Sequence, residues 1–263
     1  MSDREAQMRQ MAKTLVYRLP GMTDVTVRRD VKYQEGDGAL VMDLYEPPGT
    51  TTEARPPAVV IAMGYPDPTG FYRNVGWATS WARLLAMSGV AAIIYATRDP
   101  AADIHTVLRY AREHATPLGI DGRRIGILAG SANAAMALSA LMKGSVVTCA
   151  ALLYGYTMDL DGSTGVAAAA NAFGFANGCA GRSIDDLASD VPMFLVRAGR
   201  EQFAGLNEAL DRFVAGAVAH NMPVTFANHA TGPHAFDLDD DSDASRRVIR
   251  QVLSFLCLHL EAR

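Results

Sequence analysis

A serine that could act as a nucleophile stands between a predicted strand and a predicted helix. Residues 125–128 form a short apolar run typical of a buried strand, Ser131 follows at a tight turn, and an alanine-rich helical pattern begins at once. A turn of this kind, a nucleophile elbow, holds the serine hydroxyl above the sheet at a helix N-terminus. Such a hydroxyl can attack a carbonyl carbon if a histidine and a carboxylate lie within reach.

The elbow departs from its usual pattern, G-x-S-x-G. The chain reads Ala129-Gly-Ser-Ala-Asn133, so both outer glycines are replaced. Ala129 adds one methyl group, and Asn133 falls in the first helical turn, where its side-chain amide can bond locally. Gly130 supplies conformational freedom just before the serine. We therefore expect an elbow in spite of the missing glycines.

His234 is the histidine best placed to act as a base. It follows Gly-Pro in the loop after the last predicted strand, and such loops display functional groups in α/β proteins. His229 stands at the end of that strand, where we expect it to make a structural hydrogen bond. The other four histidines are predicted to be solvated residues on or near helices: His105, His114, His220 and His259.

Glu201 is the predicted acid that orients the histidine. It directly follows a predicted strand that ends in a glycine turn, and a carboxylate there could hold one ring nitrogen and stabilise the imidazolium. An acidic residue near the start of the next helix would fit the same position without any catalytic role. Asp159 and Asp161, which follow the preceding strand, are the alternatives. Ser131, Glu201 and His234 follow one another along the chain in the order serine, acid, histidine, which is the order of the triad on a G-x-S-x-G elbow.

Two backbone N–H groups are needed to hold the oxyanion of a tetrahedral intermediate. Ala132, the residue after the serine, would supply one from the helix N-terminus. Tyr65 would supply the other from the loop after the strand that ends at Met63, where Gly64 allows a close approach of the backbone. The same Gly64-Tyr65 pair also fits an ordinary strand-to-loop turn.

The elements that must position these residues alternate along the chain. A hairpin at 25–33 and 40–45 precedes strands at 58–63, 90–95, 124–128, 146–154, 191–197 and 224–228, and helices at 77–87, 101–114, 133–143, 206–220 and 245–260. Strands that alternate with helices of ten or more residues indicate a mainly parallel sheet. We predict one α/β domain over 1–263, after a polar N-terminal segment at 1–24, with helices on both faces of the sheet.

One long region, 155–190, interrupts this alternation after the sixth strand. An insertion there would lie over the carboxyl edge of the sheet, where open α/β folds bind ligands. Phe173 and Phe175 could line an apolar substrate pocket together with Gly64, or they could simply pack the insertion onto the body. A short helix is expected near 184–187. The acidic run at 237–243 is predicted to be solvated, with its last acids favouring the next helix N-terminus.

The composition argues against several classes of protein. The net charge of −4 gives no basic footprint for nucleic acid, and the three cysteines lack a C-x-x-C pairing, so no disulfide framework, metal or other cofactor is expected. The polar first residues are not followed by the apolar segment of a signal peptide, and no apolar run is long enough to span a membrane. We expect a cytoplasmic protein with a small-molecule substrate and no membrane contact. The sequence is compatible with a homodimer but does not determine the oligomeric state.

The chain resembles an α/β-hydrolase of the esterase and dienelactone-hydrolase type from about residue 25 onward. The matching landmarks are 42–47, 59–67, 95–100 with Asp103, 124–138, 199–201 and 232–236. The resemblance implies the α/β-hydrolase fold, with Ser131 as nucleophile, Glu201 as acid and His234 as base. Enzymes similar to dienelactone hydrolase often use cysteine, so the serine favours a general carboxylic-ester hydrolase. The His-Gly-Gly motif of hormone-sensitive-lipase relatives is absent, and Glu201 replaces the more frequent aspartate.

These observations predict a serine hydrolase that cleaves a carboxylic ester through an acyl-enzyme intermediate. One alternative is a non-catalytic homologue that binds a small ligand in the same pocket, because a fold does not fix a function. Another is the same triad acting on a lactone or an amide, or in a lyase reaction.

Overall fold

The computed structural model describes residues 11–36, 38–50 and 55–261, and these residues build an eight-stranded sheet. Along the chain the strands are β1 (Thr26–Gln34), β2 (Leu40–Glu46), β3 (Ala58–Ile61), β4 (Ala91–Tyr95), β5 (Ile125–Gly130), β6 (Cys149–Leu153), β7 (Met193–Arg200) and β8 (Val224–Pro233). Their order across the sheet is β1-β2-β4-β3-β5-β6-β7-β8. The β1–β2 and β2–β4 pairs are antiparallel and the others are parallel. The predicted fold class is confirmed.

Helices flank the sheet and follow most of its strands. They are α1 (Gly76–Met87), α2 (Pro100–Glu113), α3 (Ala115–Leu118), α4 (Ala134–Ser139), α5 (Gly165–Phe173), α6 (Leu206–Ala219), α7 (Phe236–Asp239) and α8 (Asp243–Leu260). Two of them begin at polar caps: the Asp99 side chain accepts backbone N–H groups of α2, and that of Ser242 accepts one of α8. Such caps satisfy amides that have no partner inside the helix. Within the described part of the chain, no helix has the length and apolar character that a membrane crossing requires.

The four central strands explain why the apolar runs of the sequence lack alternation. Every residue of β3, β4, β5 and β6 is buried. Parallel strands that are covered on both faces need apolar side chains at consecutive positions, whereas a half-exposed strand needs them at every second position. β1, at the edge, has the mixed exposure of a strand with one solvated face.

The predicted boundaries near the functional residues need three corrections. The helix expected at 133–143 is the short α4, because a 3₁₀ turn at Ser131–Asn133 precedes it and the Ser139 hydroxyl bonds back to the Met136 carbonyl near its end. The strand expected at 224–228 continues to Pro233, since β8 keeps pairing with β7 as far as Arg200. The helix expected near 184–187 is a single 3₁₀ turn, and the alanine run of the insertion forms α5 instead.

The acidic run at 237–243 is not wholly solvated, because its first member is fully buried. Asp237 accepts hydrogen bonds from the indole N–H groups of Trp77 (2.9 Å) and Trp81 (2.8 Å) and from the Tyr154 hydroxyl (2.6 Å). Burial raises the pKa of Asp237, and the three hydrogen bonds oppose that shift. The donors lie far away in sequence, so the pattern of the acidic run cannot reveal them. The remaining residues of the run are partly or fully exposed, as predicted.

Part of the predicted N-terminal segment belongs to the body of the protein. Leu15 is fully buried, its N–H group donates to the Ser80 hydroxyl (3.1 Å), and the Val16 N–H group donates to the Asp237 carbonyl (2.9 Å). Gly76 is required opposite this segment, since a Cβ there would lie 2.1 Å from the Lys13 carbonyl oxygen. Residues 1–10 of the predicted segment lie outside the described residues.

Candidate active site

Three of the predicted residues meet at the carboxyl edge of the sheet. Ser131 follows β5, Glu201 follows β7, and His234 follows β8. The His234 Nε2 atom lies 2.9 Å from the Ser131 hydroxyl oxygen, and its Nδ1 atom lies 2.6 Å from the Glu201 Oε2 atom. Because a carboxylate can only accept, Nδ1 carries the proton and Nε2 is left to accept the serine hydroxyl. The hydrogen-bonded chain therefore runs from serine through histidine to glutamate.

The glutamate is fixed by its own turn. The Glu201 Oε1 atom accepts the backbone N–H groups of Gln202 and Phe203, both at 2.9 Å, while Oε2 faces the imidazole. Its side chain is only 2% exposed, so the carboxylate cannot exchange the imidazole freely for water. The alternative acids are elsewhere: Asp159 accepts two backbone N–H groups at the start of α5. Asp161 is exposed, in the turn that lies between Asp159 and α5.

Ser131 has a backbone conformation that is costly for an L-residue. Its φ of 56° is in the left-handed region, as the sharp strand-to-helix turn of an elbow requires. The preceding glycine is needed for a separate reason, because a Cβ on Gly130 would lie 2.8 Å from the Trp77 ring. The two residues together turn the hydroxyl away from the sheet and leave room for the indole beneath it.

This strain gives a stability prediction. Ser131→Gly and Ser131→Ala both lose the hydroxyl, but only glycine adopts a positive φ without a steric cost. We expect Ser131→Gly to have a free energy of unfolding about 1 kcal/mol higher than Ser131→Ala. Urea unfolding of the two variants under one set of conditions checks this. Equal stabilities, or a more stable alanine variant, would contradict the strained elbow.

Aromatic rings enclose the imidazole on two sides. The centroids of Phe203 and Tyr154 lie 4.7 Å and 4.9 Å from that of His234, and both rings meet it edge-on. Contact with apolar rings holds the orientation of the imidazole and limits its access to water. Sequence reasoning missed both residues. The available signals were that Phe203 follows the acid by two positions and that Tyr154 directly follows β6, the strand beside the elbow.

His229, as predicted, makes a structural hydrogen bond and stays apart from the serine. It is buried, its Nε2 atom lies 2.7 Å from the Ser245 hydroxyl, and Gly232 packs against its ring. Burial lowers the pKa of His229, and the nearby Asp240 carboxylate opposes this shift. The imidazole is therefore easier to protonate in the unfolded chain than in the fold.

A pH dependence of stability follows from His229. The His229 imidazole of the unfolded chain takes up a proton near pH 6.5, while the folded protein resists protonation. The contribution of His229 to the free energy of unfolding is therefore complete above that pH and is lost as the pH falls below it. We expect the unfolding free energy of His229→Gln to decrease less than that of the wild type between pH 8 and pH 5.5. Urea unfolding at both pH values measures the difference. A variant with the same pH dependence as the wild type would contradict the assignment.

Ala132 follows the serine and Tyr65 lines the same cavity, and these two predicted oxyanion donors lie on touching segments. The Gly64 N–H group donates to the Asn133 side-chain oxygen (2.7 Å), and the Gly64 carbonyl accepts the Ala176 N–H group (2.8 Å). The Tyr65 loop is thereby fastened to the elbow that carries Ala132. The sequence suggested that the Asn133 side chain would bond locally. This was wrong, because the side chain accepts the Gly64 N–H group instead.

An ionic cluster beneath this loop anchors its far end. The Arg73 guanidinium donates to the carboxylate of Asp43, which is fully buried in β2, and to Asp30 (2.8 Å). Nearer the site, the Asp67 side chain accepts the backbone N–H group of Tyr72 (2.6 Å). Charged groups that are paired and buried hold one geometry, because breaking the pair would leave an uncompensated charge. The loop is therefore fixed at both ends.

An apolar cavity of about 230 Å³ opens beside the serine. It is lined by Met11, Met63, Gly64, Tyr65, Tyr72, Val75, Trp77, Ala78, Gly130, Ser131, Asn133, Tyr154, His234, Ala235 and Leu238. Gly64 was expected here, but Phe173 and Phe175 do not line this cavity. Phe175 is buried against Tyr65 and Tyr156 behind the wall, and Phe173 is half exposed, with its ring on Phe203.

Two further observations bear on what the site can hold. Among residues 11–36, 38–50 and 55–261, no group of three His, Cys, Asp or Glu side chains is arranged to bind a metal ion. The described residues that line the cavity are mainly apolar or aromatic, and they include no Lys, Arg, Asp or Glu side chain. Such a lining suits an uncharged molecule with one polar, reactive group.

Comparison with known proteins identifies the fold. No family model matches the chain, and no curated protein matches its sequence. Solved structures do: a thermophilic esterase from Thermogutta terrifontis (18% identity, 91% of this chain and 94% of that one, TM-score 0.68), a thermostable esterase from Pseudomonas putida (15%, 100% and 92%, 0.71) and a bacterial heroin esterase (17%, 98% and 90%, 0.70). The chain has the α/β-hydrolase fold that the sequence predicted.

Proposed function

We propose that this chain, which has the α/β-hydrolase fold, is a serine hydrolase that cleaves carboxylic esters through an acyl-enzyme intermediate. The observation that carries the proposal is the continuous hydrogen-bonded chain from the Ser131 hydroxyl through His234 to Glu201. A serine hydroxyl is a weak nucleophile unless a base takes its proton during attack, and a positioned imidazole does so. The esterases with similar structures add support to this reading.

In the acylation step, the Ser131 oxygen attacks the ester carbonyl carbon while His234 Nε2 takes the hydroxyl proton. Glu201 stabilises the imidazolium that forms, through the short hydrogen bond to Nδ1. The carbonyl oxygen becomes an oxyanion, held by the N–H groups of Ala132 and Tyr65. The imidazolium then donates its proton to the alkoxide as the carbon–oxygen bond breaks, and the alcohol leaves.

Deacylation repeats the same steps with water. His234 takes a proton from a water molecule, whose oxygen attacks the acyl carbon, and the proton returns to the Ser131 oxygen as the acid is released. Base catalysis contributes roughly 10²–10⁴-fold to such a reaction. Each oxyanion donor contributes roughly 10²–10³-fold. The apolar cavity favours an ester whose bulky part is an uncharged alkyl or aryl group.

A panel of substrates tests the proposal. It contains p-nitrophenyl acetate, butyrate and octanoate, the p-nitroanilide of butyrate, and a six-membered lactone. We expect hydrolysis of the p-nitrophenyl esters that follows saturation kinetics, and much slower turnover of the anilide, whose leaving group is worse. Turnover of the lactone alone, or of the anilide at the rate of the ester, would replace the ester assignment. Failure on all five would favour a non-catalytic binding protein.

A further inference from the structure

Asn133 stands where the elbow pattern has a glycine, and its side chain bonds across the site. Its Oδ1 atom accepts the Gly64 N–H group at 2.7 Å, although the two residues are 69 positions apart. The residue also lines the apolar cavity. A side chain at this position therefore joins the elbow to the loop that carries the second predicted oxyanion donor.

The Gly64 backbone is held from both sides. Its N–H group is bound by Asn133, and its carbonyl accepts the Ala176 N–H group from the insertion. In a trans peptide the carbonyl and the next N–H group point in opposite directions. The direction of the Tyr65 N–H group is therefore fixed, away from Ala176, by the hydrogen bond that the Gly64 carbonyl makes.

The elbow and the loop are also in direct contact. A Cβ placed on Gly64 would lie 3.0 Å from the Asn133 Oδ1 atom and 3.2 Å from the Ala132 carbonyl oxygen. A side chain at Gly64 would press on both of these atoms, so the segments pack closely and one short hydrogen bond sets the distance from the Ala132 turn to the Tyr65 turn. Oxyanion donors act only when they lie within hydrogen-bond distance of the developing charge.

We propose that Asn133 is a positioning residue for oxyanion binding, which sets the spacing between the N–H groups of Tyr65 and Ala132. The inference rests on the proposed function, because the oxyanion belongs to that reaction. It also gives the altered elbow a role. The side chain that replaces the glycine holds the oxyanion loop against the nucleophile turn.

Asn133→Ala removes the acceptor and tests the proposal. We expect kcat for p-nitrophenyl butyrate to fall about 10- to 100-fold, since a misplacement of about 1 Å can cost about 100-fold, while KM changes less than about threefold. The inhibition constant of a trifluoromethyl ketone analogue should rise by the same factor as kcat/KM falls. Its adduct with Ser131 places an oxyanion on the same donors. Asn133→Gly, which restores the usual pattern, should show the same losses.

Asn177→Ala is the matched control. Asn177 is also half-buried and also accepts one backbone N–H group, that of Cys179, but within its own turn (3.3 Å). We expect wild-type kinetics and inhibition from this variant.

Three results would count against these claims in different ways. Wild-type kcat in either Asn133 variant would overturn the positioning role. A lower kcat with unchanged trifluoromethyl ketone inhibition would also overturn it, because a general structural defect would then explain the loss. A wild-type protein that hydrolyses none of the esters would instead contradict the proposed function itself.

Discussion

Replacement of Ser131 by alanine is expected to lower kcat/KM for p-nitrophenyl butyrate by about 10⁴- to 10⁶-fold. The variant keeps the Glu201–His234 pair, the cavity and both backbone donors, so only the attacking oxygen is lost. Without it no acyl-enzyme can form, and the residual rate is that of water attacking a bound, polarised ester. Initial rates with the wild type as reference measure the effect.

Ser139→Ala is the control for the loss of a serine from the same part of the chain. Ser139 is buried, its hydroxyl donates to the Met136 carbonyl of its own helix, and it does not line the cavity beside Ser131. We expect kcat/KM within about twofold of the wild type. If Ser131→Ala retained most of the activity, the nucleophile would be another group and the mechanism would be wrong.

Replacement of His234 by alanine should cost nearly as much as replacement of the serine. The hydroxyl then lacks an acceptor at 2.9 Å, and Glu201 faces an empty space enclosed by Phe203 and Tyr154. Residues that act as a unit are strongly non-additive, so the Ser131→Ala/His234→Ala double variant should be about as slow as either single variant. Kinetics of the three variants on p-nitrophenyl butyrate test this coupling.

Added imidazole sharpens the same test. The space left by His234→Ala lies between two aromatic rings, and a free imidazole that enters it could take the proton from Ser131. We expect imidazole to restore part of the lost activity in His234→Ala and none in Ser131→Ala. The double variant supplies the background rate of imidazole alone. Multiplicative losses in the double variant, together with no rescue, would argue that the two residues act separately.

The order of strands and helices could be predicted from the sequence because it depends on local patterns of apolar residues. Continuous apolar runs identify central parallel strands, and Ser131, Glu201 and His234 could be predicted to meet because each follows such a strand. The carboxyl ends of parallel strands lie at one edge of the sheet. The chain positions alone therefore placed these side chains within reach of one another, with no knowledge of distances.

The contacts that the sequence did not reveal join segments that are remote along the chain. The sequence indicates that Asp237 is one of several solvated acids. In the fold, the indole N–H groups of Trp77 and Trp81 in α1 donate to its carboxylate. Asn133 reads as a residue that bonds within its own helix until folding brings Gly64 to its side chain. Patterns of hydrophobicity describe the face of one element and carry no information about such pairs.

The two phenylalanines of the insertion show the same limit. The position of the insertion over the carboxyl edge was a sound reason to expect an aromatic residue near the site. Phe175 is buried in one cluster with small residues of α5, and its ring contacts Tyr65 and Tyr156. Phe173 lies at the surface, with its ring against Phe203. Which ring turns inward depends on packing against partners that the local sequence does not name.

Labelling with a fluorophosphonate probe tests the central claim most directly, because the probe forms a covalent bond only with a serine that is activated as a nucleophile. Tryptic cleavage after Arg124 and Lys143 releases residues 125–143, which contain both Ser131 and Ser139. Fragmentation of this peptide by mass spectrometry tells the two apart. We predict one adduct per chain, on Ser131, absent from Ser131→Ala and formed far more slowly in His234→Ala. An ester-hydrolysing protein that carries no adduct, or carries it on any residue other than Ser131, would contradict the account.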